Sequence, residues 1–186
     1  MPHTNKINEM IRVNHAGEMG AKVIYDGQIL ALKLKKDYET LKIVEEMKLQ
    51  EIKHFEYFNN QIKQQKIRPT LMQPIWLAGG FALGFMTAII DKKSAMTCTT
   101  AVEEIIDEHY QQQISELEFI EKNNPNKNQK SELEDLKSKI SKFRDEEIEH
   151  KDTAFGHNAQ DFVAFEPLSK FIKLTTKMAI AISKKI

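Results

Sequence analysis

Apolar residues recur every three or four positions along most of this chain, a spacing that places them on one face of an α-helix. The pattern is interrupted only where glycine, proline, asparagine or charged residues cluster. We therefore predict an all-α protein with four long helices, an apolar helical segment and a C-terminal amphipathic helix. These elements are predicted at 5–36, 37–65, 94–121 and 131–157, at 69–90, and at 168–186, respectively.

Short polar signals mark several of the predicted helix ends. Asp37 is a predicted N-cap of the second helix. The asparagine-rich segment 122–128 is a predicted loop, and Ser131 with Glu134 three residues later has the pattern of a capping box that opens the next helix. No linker divides the chain, so we predict one domain over residues 1–186.

Composition excludes some classes of protein. Lys+Arg and Asp+Glu both number 27, so a net charge of zero gives no reason to expect a nucleic-acid partner. A single cysteine, Cys98, rules out an internal disulfide and fits a reducing compartment. The N-terminal residues lack the apolar run of a signal peptide.

Each of the four long helices has a glutamate near the middle of its apolar face. Residues seven apart return to one face of a helix, and this spacing defines four stripes. The stripes are Ile11, Glu18, Tyr25 and Leu32; Val44, Met47, Glu51, His54 and Phe58; Met96, Glu103, Ile106, Tyr110 and Leu117; and Leu136, Ile140, Phe143, Glu147, His150 and Ala154. The stripes therefore predict four carboxylates pointing into one apolar core.

Bare carboxylates are unstable in such a core. Burying an ionised carboxylate costs several kcal/mol unless a cation or hydrogen-bond donors compensate it. The stripes contain no matching set of lysines or arginines, so metal ions are the favoured cations. Two of the glutamates also belong to Glu-x-x-His motifs, Glu51–His54 and Glu147–His150, whose side chains share a helix face and can hold one ion together.

The order of these groups is more specific than either motif alone. A lone glutamate followed by Glu-x-x-His occurs twice, which is the ligand set of di-iron and di-manganese helical bundles. In chain order the groups are Glu18, Glu51/His54, Glu103 and Glu147/His150. Mixed oxygen and nitrogen ligands suit iron or manganese better than zinc. The alternative is a set of partly exposed residues that only form salt bridges.

Five short motifs resemble the demethoxyubiquinone hydroxylases of ubiquinone biosynthesis, in the order of that family and over nearly the whole chain. They are Asn-His-Ala-Gly-Glu at 14–18, Ile-Tyr-Asp-Gly-Gln at 24–28, Cys-Thr-Thr-Ala-Val-Glu-Glu at 98–104, Glu-His-Tyr at 108–110, and Phe-Arg-Asp-Glu-Glu-Ile-Glu-His at 143–150. The resemblance implies a ferritin-like four-helix bundle. It also implies a membrane-associated di-iron monooxygenase that hydroxylates the ring of a polyprenylated quinone or quinol.

The resemblance also assigns iron ligation, to the same six residues that the stripes select. They are Glu18, Glu51, His54, Glu103, Glu147 and His150. We therefore expect two iron ions per chain, with manganese the less favoured metal. Tyr110 and His109 are the candidate catalytic residues. Tyr110 lies seven residues after Glu103 and could relay protons or electrons or contact the quinone; a buried tyrosine with one hydrogen bond is the alternative.

The charge-free segment 69–90 is long enough to cross about 30 Å of hydrocarbon. A simple crossing would separate Glu51 from Glu103, which must reach the same metals. A bent, re-entrant or surface-lying segment is therefore predicted, with Trp76 as a candidate interfacial anchor. The lysine-rich tail 168–186 is a candidate basic membrane contact. Packing of both segments against the bundle or a partner chain is the alternative.

These expectations define the partners and the competing functions. The expected partners are a polyprenyl quinone, dioxygen, an electron donor (NADH or a reductase) and a membrane surface, with the protein peripheral on the cytoplasmic face of the cell membrane. A homo-oligomer or a biosynthetic complex is left open. The alternative functions are another ferritin-like di-iron oxidase or peroxidase, and a non-catalytic helical bundle at the membrane surface.

Overall fold

Helices make up nearly all of the structure. The computed structural model describes residues 2–123 and 127–185, with side chains from residue 5 and, after the gap, from residue 130. The elements are α1 (Pro2–Lys35), α2 (Tyr38–Gln64), α3 (Gln73–Ile90), α4 (Lys92–Asn123), α5 (Lys127–Gly156), a 3-10 turn (Ala159–Asp161) and α6 (Phe165–Ser183). The prediction of an all-α helical bundle is confirmed.

Four helices, α1, α2, α4 and α5, bury the four predicted stripes. Every stripe residue is buried, from Ile11 near the start of α1 to Ala154 near the end of α5. α1 packs against α2 and α4 packs against α5, and contacts between α1 and α4 and between α2 and α5 close the bundle. The glutamates are therefore enclosed by apolar side chains above and below them along the bundle.

The turn between α1 and α2 contains the predicted N-cap of α2. Lys36 has a left-handed backbone, with φ 58°, and ends α1. Asp37 then accepts a hydrogen bond from the backbone N–H of Thr40 at 3.1 Å, which satisfies a free donor at the start of α2. The predicted N-cap at Asp37 is confirmed.

The predicted start of α5 is wrong. The helix already begins at Lys127, so Ser131 and Glu134 lie within it and are not a capping box that opens it. The predicted loop 122–128 is correspondingly shorter, because its two ends belong to α4 and α5. The remainder of that loop, residues 124–126, lies outside the described residues. The asparagine-rich composition predicted a longer loop, but α4 and α5 both continue into this segment.

α3 lies on α1 at backbone contact distance. A Cβ added at Gly84 would overlap the backbone carbonyl of Ile24, and one added at Gly27 would overlap the backbone of α3 at Phe81. At the far end, the Lys35 ammonium group donates to the carbonyls of residues 88–90 at 3.3–3.4 Å, groups that the helix terminus leaves free. α3 is thus held closely on the bundle, while its outer face exposes several apolar residues. The exposed residues are Ile75, Leu77, Phe81, Met86 and Ile90.

α6 packs along α4, which is the bundle-packing alternative left open for the tail. Ile172 is fully buried between the helices. Lys173 forms an ion pair with Glu104 at 2.7 Å, and Lys177 forms one with Glu108 at 3.0 Å. These lysines are therefore directed to acids of α4. The opposite face of α6 still exposes Phe171, Leu174 and Met178.

Candidate metal centre

The structure brings all six predicted ligands together in the middle of the bundle. Each is at most 3% exposed, which is exceptional for charged side chains. Within the described part of the chain their ligand atoms form two groups, and the atoms of each group lie within 4.8 Å of one another. The groups are Glu18, Glu51, His54 and Glu147, and Glu51, Glu103, Glu147 and His150. Glu51 and Glu147 belong to both groups, so the two groups adjoin.

Burial and mutual repulsion perturb the ionisation of these groups. Burial raises the pKa of both Glu51 and Glu103 well above the usual carboxyl value, and neighbouring carboxylates, Glu147 first among them, raise it further. Burial acts in the same direction on Glu147, but hydrogen bonds from His150 and His54 outweigh it and lower its pKa to about 2. Without a metal, the cluster therefore holds protons on some carboxyls and charge on others.

The cluster has acceptor atoms that no protein group satisfies. Among the described residues, neither oxygen of Glu51 has a hydrogen-bond partner, although His150 Nδ1 lies 3.1 Å from its Oε1. Glu103 Oε2 is unpartnered as well. Buried acceptors are rarely left without a hydrogen-bond partner, because each unpaired acceptor lowers the free energy of unfolding by about 1–3 kcal/mol. Divalent cations bound by these carboxylate oxygens and imidazole nitrogens would satisfy them, so the donor set fits a pair of such ions.

Two tyrosines hold the lone glutamates reciprocally. Tyr25 on α1 donates its hydroxyl to Glu103 Oε1 on α4 at 2.9 Å. Tyr110 on α4 donates to Glu18 Oε1 on α1. Each tyrosine follows the glutamate of its own helix by seven residues. The predicted Tyr110 is thus in contact with the cluster. Tyr25 was missed, although the repeated Glu-x6-Tyr spacing was visible in the sequence.

The two histidines are also held reciprocally from outside the cluster. Their Nδ1 atoms point into it, since His54 Nδ1 lies 3.1 Å from Glu147 Oε1 and His150 Nδ1 lies 3.1 Å from Glu147 Oε2. Their Nε2 atoms point outward, with His54 Nε2 2.6 Å from Glu146 Oε2 and His150 Nε2 2.5 Å from Gln50 Oε1. Gln50 and Glu146 each precede the glutamate of a Glu-x-x-His motif, and the sequence alone did not identify either as a site residue.

His109 lies apart from the cluster. Its Nε2 accepts a hydrogen bond from the Gln113 amide at 2.9 Å, and that amide is paired with Asn14 on α1 at 2.8 Å in both directions. Burial, with Lys184 and Lys6 adding to it, lowers the pKa of His109 to about 4. His109 is therefore a neutral member of a network that joins α4 to α1.

An apolar cavity of about 310 Å³ lies between α1, α3, α4 and α6. Gly17 and Val102, which adjoin Glu18 and Glu103 in the sequence, line it together with Ile106. Trp76 lines it as well and donates its indole N–H to Ser183 at 3.1 Å, which ties α3 to the end of α6. The predicted interfacial anchor is therefore half-buried in the cavity wall.

A helical bundle with two Glu-x-x-His motifs and two lone glutamates converging in its core has the architecture of the carboxylate-bridged two-metal bundles. The chain belongs to the family described as ubiquinone biosynthesis protein COQ7, whose model matches residues 5–183. The family prediction made from the sequence motifs is confirmed.

The names of three relatives agree with this assignment. The 3-demethoxyubiquinol 3-hydroxylase of Rhodospirillum rubrum is 38% identical over 180 residues, which cover 97% of this chain and 78% of the relative. The mitochondrial NADPH-dependent 3-demethoxyubiquinone 3-hydroxylase of Dictyostelium discoideum is 38% identical over 97% of this chain and 77% of its own. The mitochondrial 5-demethoxyubiquinone hydroxylase of Saccharomyces cerevisiae is 39% identical over 97% of this chain and 78% of its own.

Proposed function

We propose that this chain is a dioxygen-dependent di-iron monooxygenase that hydroxylates the ring of a polyprenylated demethoxyubiquinone or its quinol. The observation that carries the proposal is the pair of adjoining buried ligand groups, with unpartnered oxygens on Glu51 and Glu103. The activity follows from the names of the relatives, which are all hydroxylases of this compound. Hydroxylation by dioxygen needs a cofactor that activates dioxygen, and a di-iron centre held by these residues would supply that chemistry.

The ligand roles follow from membership of the two groups. Glu51 and Glu147 would contact both ions, because both groups include them. Glu18 and His54 would complete the first position, and Glu103 and His150 the second. Iron held in this way would activate dioxygen, with electrons drawn from the electron donor. Tyr110 and Tyr25 each hold one oxygen of a lone glutamate, which leaves the other oxygen of that glutamate for a metal.

The cavity is the proposed binding place for the quinone ring. Its volume lies at the lower end of the range for small-molecule sites, and its lining is almost wholly apolar. A ring placed there would lie next to Gly17 and Val102, which adjoin the two lone glutamates in the sequence, and α3 and α6 would cover it. The prenyl chain would leave between those helices, along their exposed apolar residues.

The exposed faces of α3 and α6 support a peripheral membrane location. α3 is long and apolar enough to span a membrane, with mean hydropathy 1.4, but this alone is weak evidence because core helices can share the property. Only 17% of this segment is buried, so it is unlike an ordinary core helix. Its close contact with α1 favours a surface-lying segment that opens the cavity to lipid. For the electron donor we propose a reduced nicotinamide nucleotide, as the names of some relatives indicate.

Reconstitution tests the proposal. The purified chain is loaded anaerobically with ferrous iron, its iron content is measured, and dioxygen, demethoxyubiquinol and NADPH are added. We expect two irons per chain and a product heavier by one oxygen atom. Absence of bound iron would leave the non-catalytic bundle as the better interpretation. Iron binding with oxidation of added ferrous iron, but no hydroxylated quinone, would favour an iron oxidase.

A cavity variant separates substrate binding from the metal centre. Ala179→Phe on α6 places a large ring in the cavity, whereas Ala181→Phe makes the same change at an exposed position of that helix. We expect normal iron content in both variants and a loss of hydroxylation only in the first. Equal activity of the two would contradict the placement of the quinone.

A further inference from the structure

The two proposed metal positions have matching inner surroundings. Each would have one histidine that presents Nδ1, one lone glutamate, and a share of Glu51 and Glu147. Each lone glutamate accepts a hydrogen bond from a tyrosine on the opposite helix, Tyr110 for Glu18 and Tyr25 for Glu103. Residues that contact the proposed ions therefore give no reason for one position to bind metal more tightly than the other.

The two positions differ in the group that contacts the outer nitrogen, Nε2, of each histidine. With an ion on Nδ1, a neutral imidazole would carry its proton on Nε2, which would then donate. His54 Nε2–H donates to a carboxylate, Glu146 Oε2, at 2.6 Å, and His150 Nε2–H donates to an amide carbonyl, Gln50 Oε1, at 2.5 Å. The two acceptors occupy equivalent places, one residue before Glu147 and one residue before Glu51.

The two acceptors act differently on their histidines. A carboxylate forms a charge-assisted hydrogen bond, roughly twice as strong as a neutral one, and it raises the basicity of the imidazole that it holds. An amide carbonyl fixes the orientation of the ring but adds no negative charge. The Lys142 ammonium group lies 3.6 Å from the other oxygen of Glu146, but this lysine is mostly exposed and offsets little of the carboxylate charge.

We propose that Glu146 and Gln50 are positioning residues that make the two metal positions unequal, so that the His54 position binds ferrous iron first and the His150 position second. This inference rests on the proposed function, because it requires a two-metal centre. Replacement of an outer partner of a metal-bound histidine typically costs 10–100-fold in metal affinity. The difference between the two positions should therefore be of about that size.

Exchange of the two outer partners tests the proposal. Stepwise dissociation constants for ferrous iron are measured anaerobically by chelator competition, and the Mössbauer spectrum of the 57Fe-loaded protein reports how alike the two irons are. In Glu146→Gln, the tighter constant should weaken by about tenfold or more while the other stays unchanged. In Gln50→Glu, the weaker constant should tighten by a similar factor. In both variants the two iron signals should converge, and the double exchange should separate them again.

Control measurements make each outcome decisive. Glu149→Gln removes the same charge from an exposed position of α5, and it should change neither constant. An unchanged ratio of the constants in both single exchanges would overturn the proposal, and Gln50→Glu remains a test if Glu146→Gln does not fold. Two equal constants in the wild type would overturn it while leaving the two-iron centre intact. Failure of the wild type to bind iron would overturn the metal centre itself.

Discussion

Replacing Glu51 by methionine should stabilise the metal-free protein while removing its response to metal. Both oxygens of this buried carboxyl lack hydrogen-bond partners among the described residues, and burial beside Glu147 and Glu18 raises its pKa well above the usual value. Methionine has a similar volume and no polar oxygen. His150 Nδ1 keeps its 3.1 Å contact with Glu147 after the change, so no new unpaired group is created.

The size of the effect follows from the cost of an unsatisfied buried polar group, about 1–3 kcal/mol. In a chain of this length, 1 kcal/mol corresponds to about 2–4 °C in Tm. Glu56→Met makes the same change on the exposed side of α2 and should alter stability by no more than about 0.5 kcal/mol. Added metal should make the wild type the more stable of the two proteins. Its free energy of unfolding rises by about 2.7 kcal/mol at a metal concentration of 100 Kd, whereas that of Glu51→Met does not change.

Urea denaturation followed by circular dichroism, first with a chelator and then with anaerobic ferrous or manganous ion, measures both effects. The decisive comparison is wild type against Glu51→Met in the presence of chelator. If the variant is the less stable of the two there, Glu51 is satisfied within the protein and the argument for a metal ligand at this position fails. A variant that still gains stability from metal would refute its role as a shared ligand.

Three further predictions concern packing and protons. Gly84→Ala should destabilise the protein by about 1–3 kcal/mol in urea denaturation, because the new Cβ overlaps α1. The control Gly79→Ala has nothing within 4 Å of its new Cβ and should be neutral or stabilising by up to about 1 kcal/mol. Equal stabilities of the two variants would contradict the close contact between α3 and α1. Lys35→Met should cost about 1–2 kcal/mol in the same assay by removing the ammonium group from the end of α3, and a loss within error of zero would refute that role. Metal binding should release protons and strengthen as pH rises, because the raised pKa values of Glu51 and Glu103 keep these groups protonated until an ion displaces the protons. Calorimetry in buffers of different ionisation enthalpy counts the protons released, and a count of zero would contradict the raised pKa values.

The core and the convergence of the six candidate ligands could be predicted from the sequence because they depend on helical periodicity. A glutamate in the middle of an apolar stripe is informative, since its burial needs compensation whatever the packing details are. Glu103 and Glu147 could be chosen over their neighbours Glu104 and Glu146 for the same reason. Periodicity fixes which residues face the core, and the position of each glutamate near the middle of its stripe favours a common level in the bundle.

Contacts between helices could not be predicted in the same way. The hydrogen bonds of Tyr25 to α4 and of Gln50 to α5 depend on the relative height of helices that are far apart in the sequence. Periodicity does not determine that height. The cavity depends on the path of α3 across α1, and backbone contact at Gly27 and Gly84 sets that path. The hydropathy pattern of the sequence does not predict such a contact.

The glycine contact between α1 and α3 has a consequence for the medium in which the protein works. Helices that associate by burying apolar surface lose that driving force in hydrocarbon, where the surroundings are as apolar as the side chains. Helices that touch through their backbones, as α3 does at Gly84, are held by close packing that operates in water and in lipid alike. The outer face of α3 can therefore exchange one solvent for the other without releasing the helix. If α3 lies in lipid, as proposed, the wall of the cavity keeps its place there.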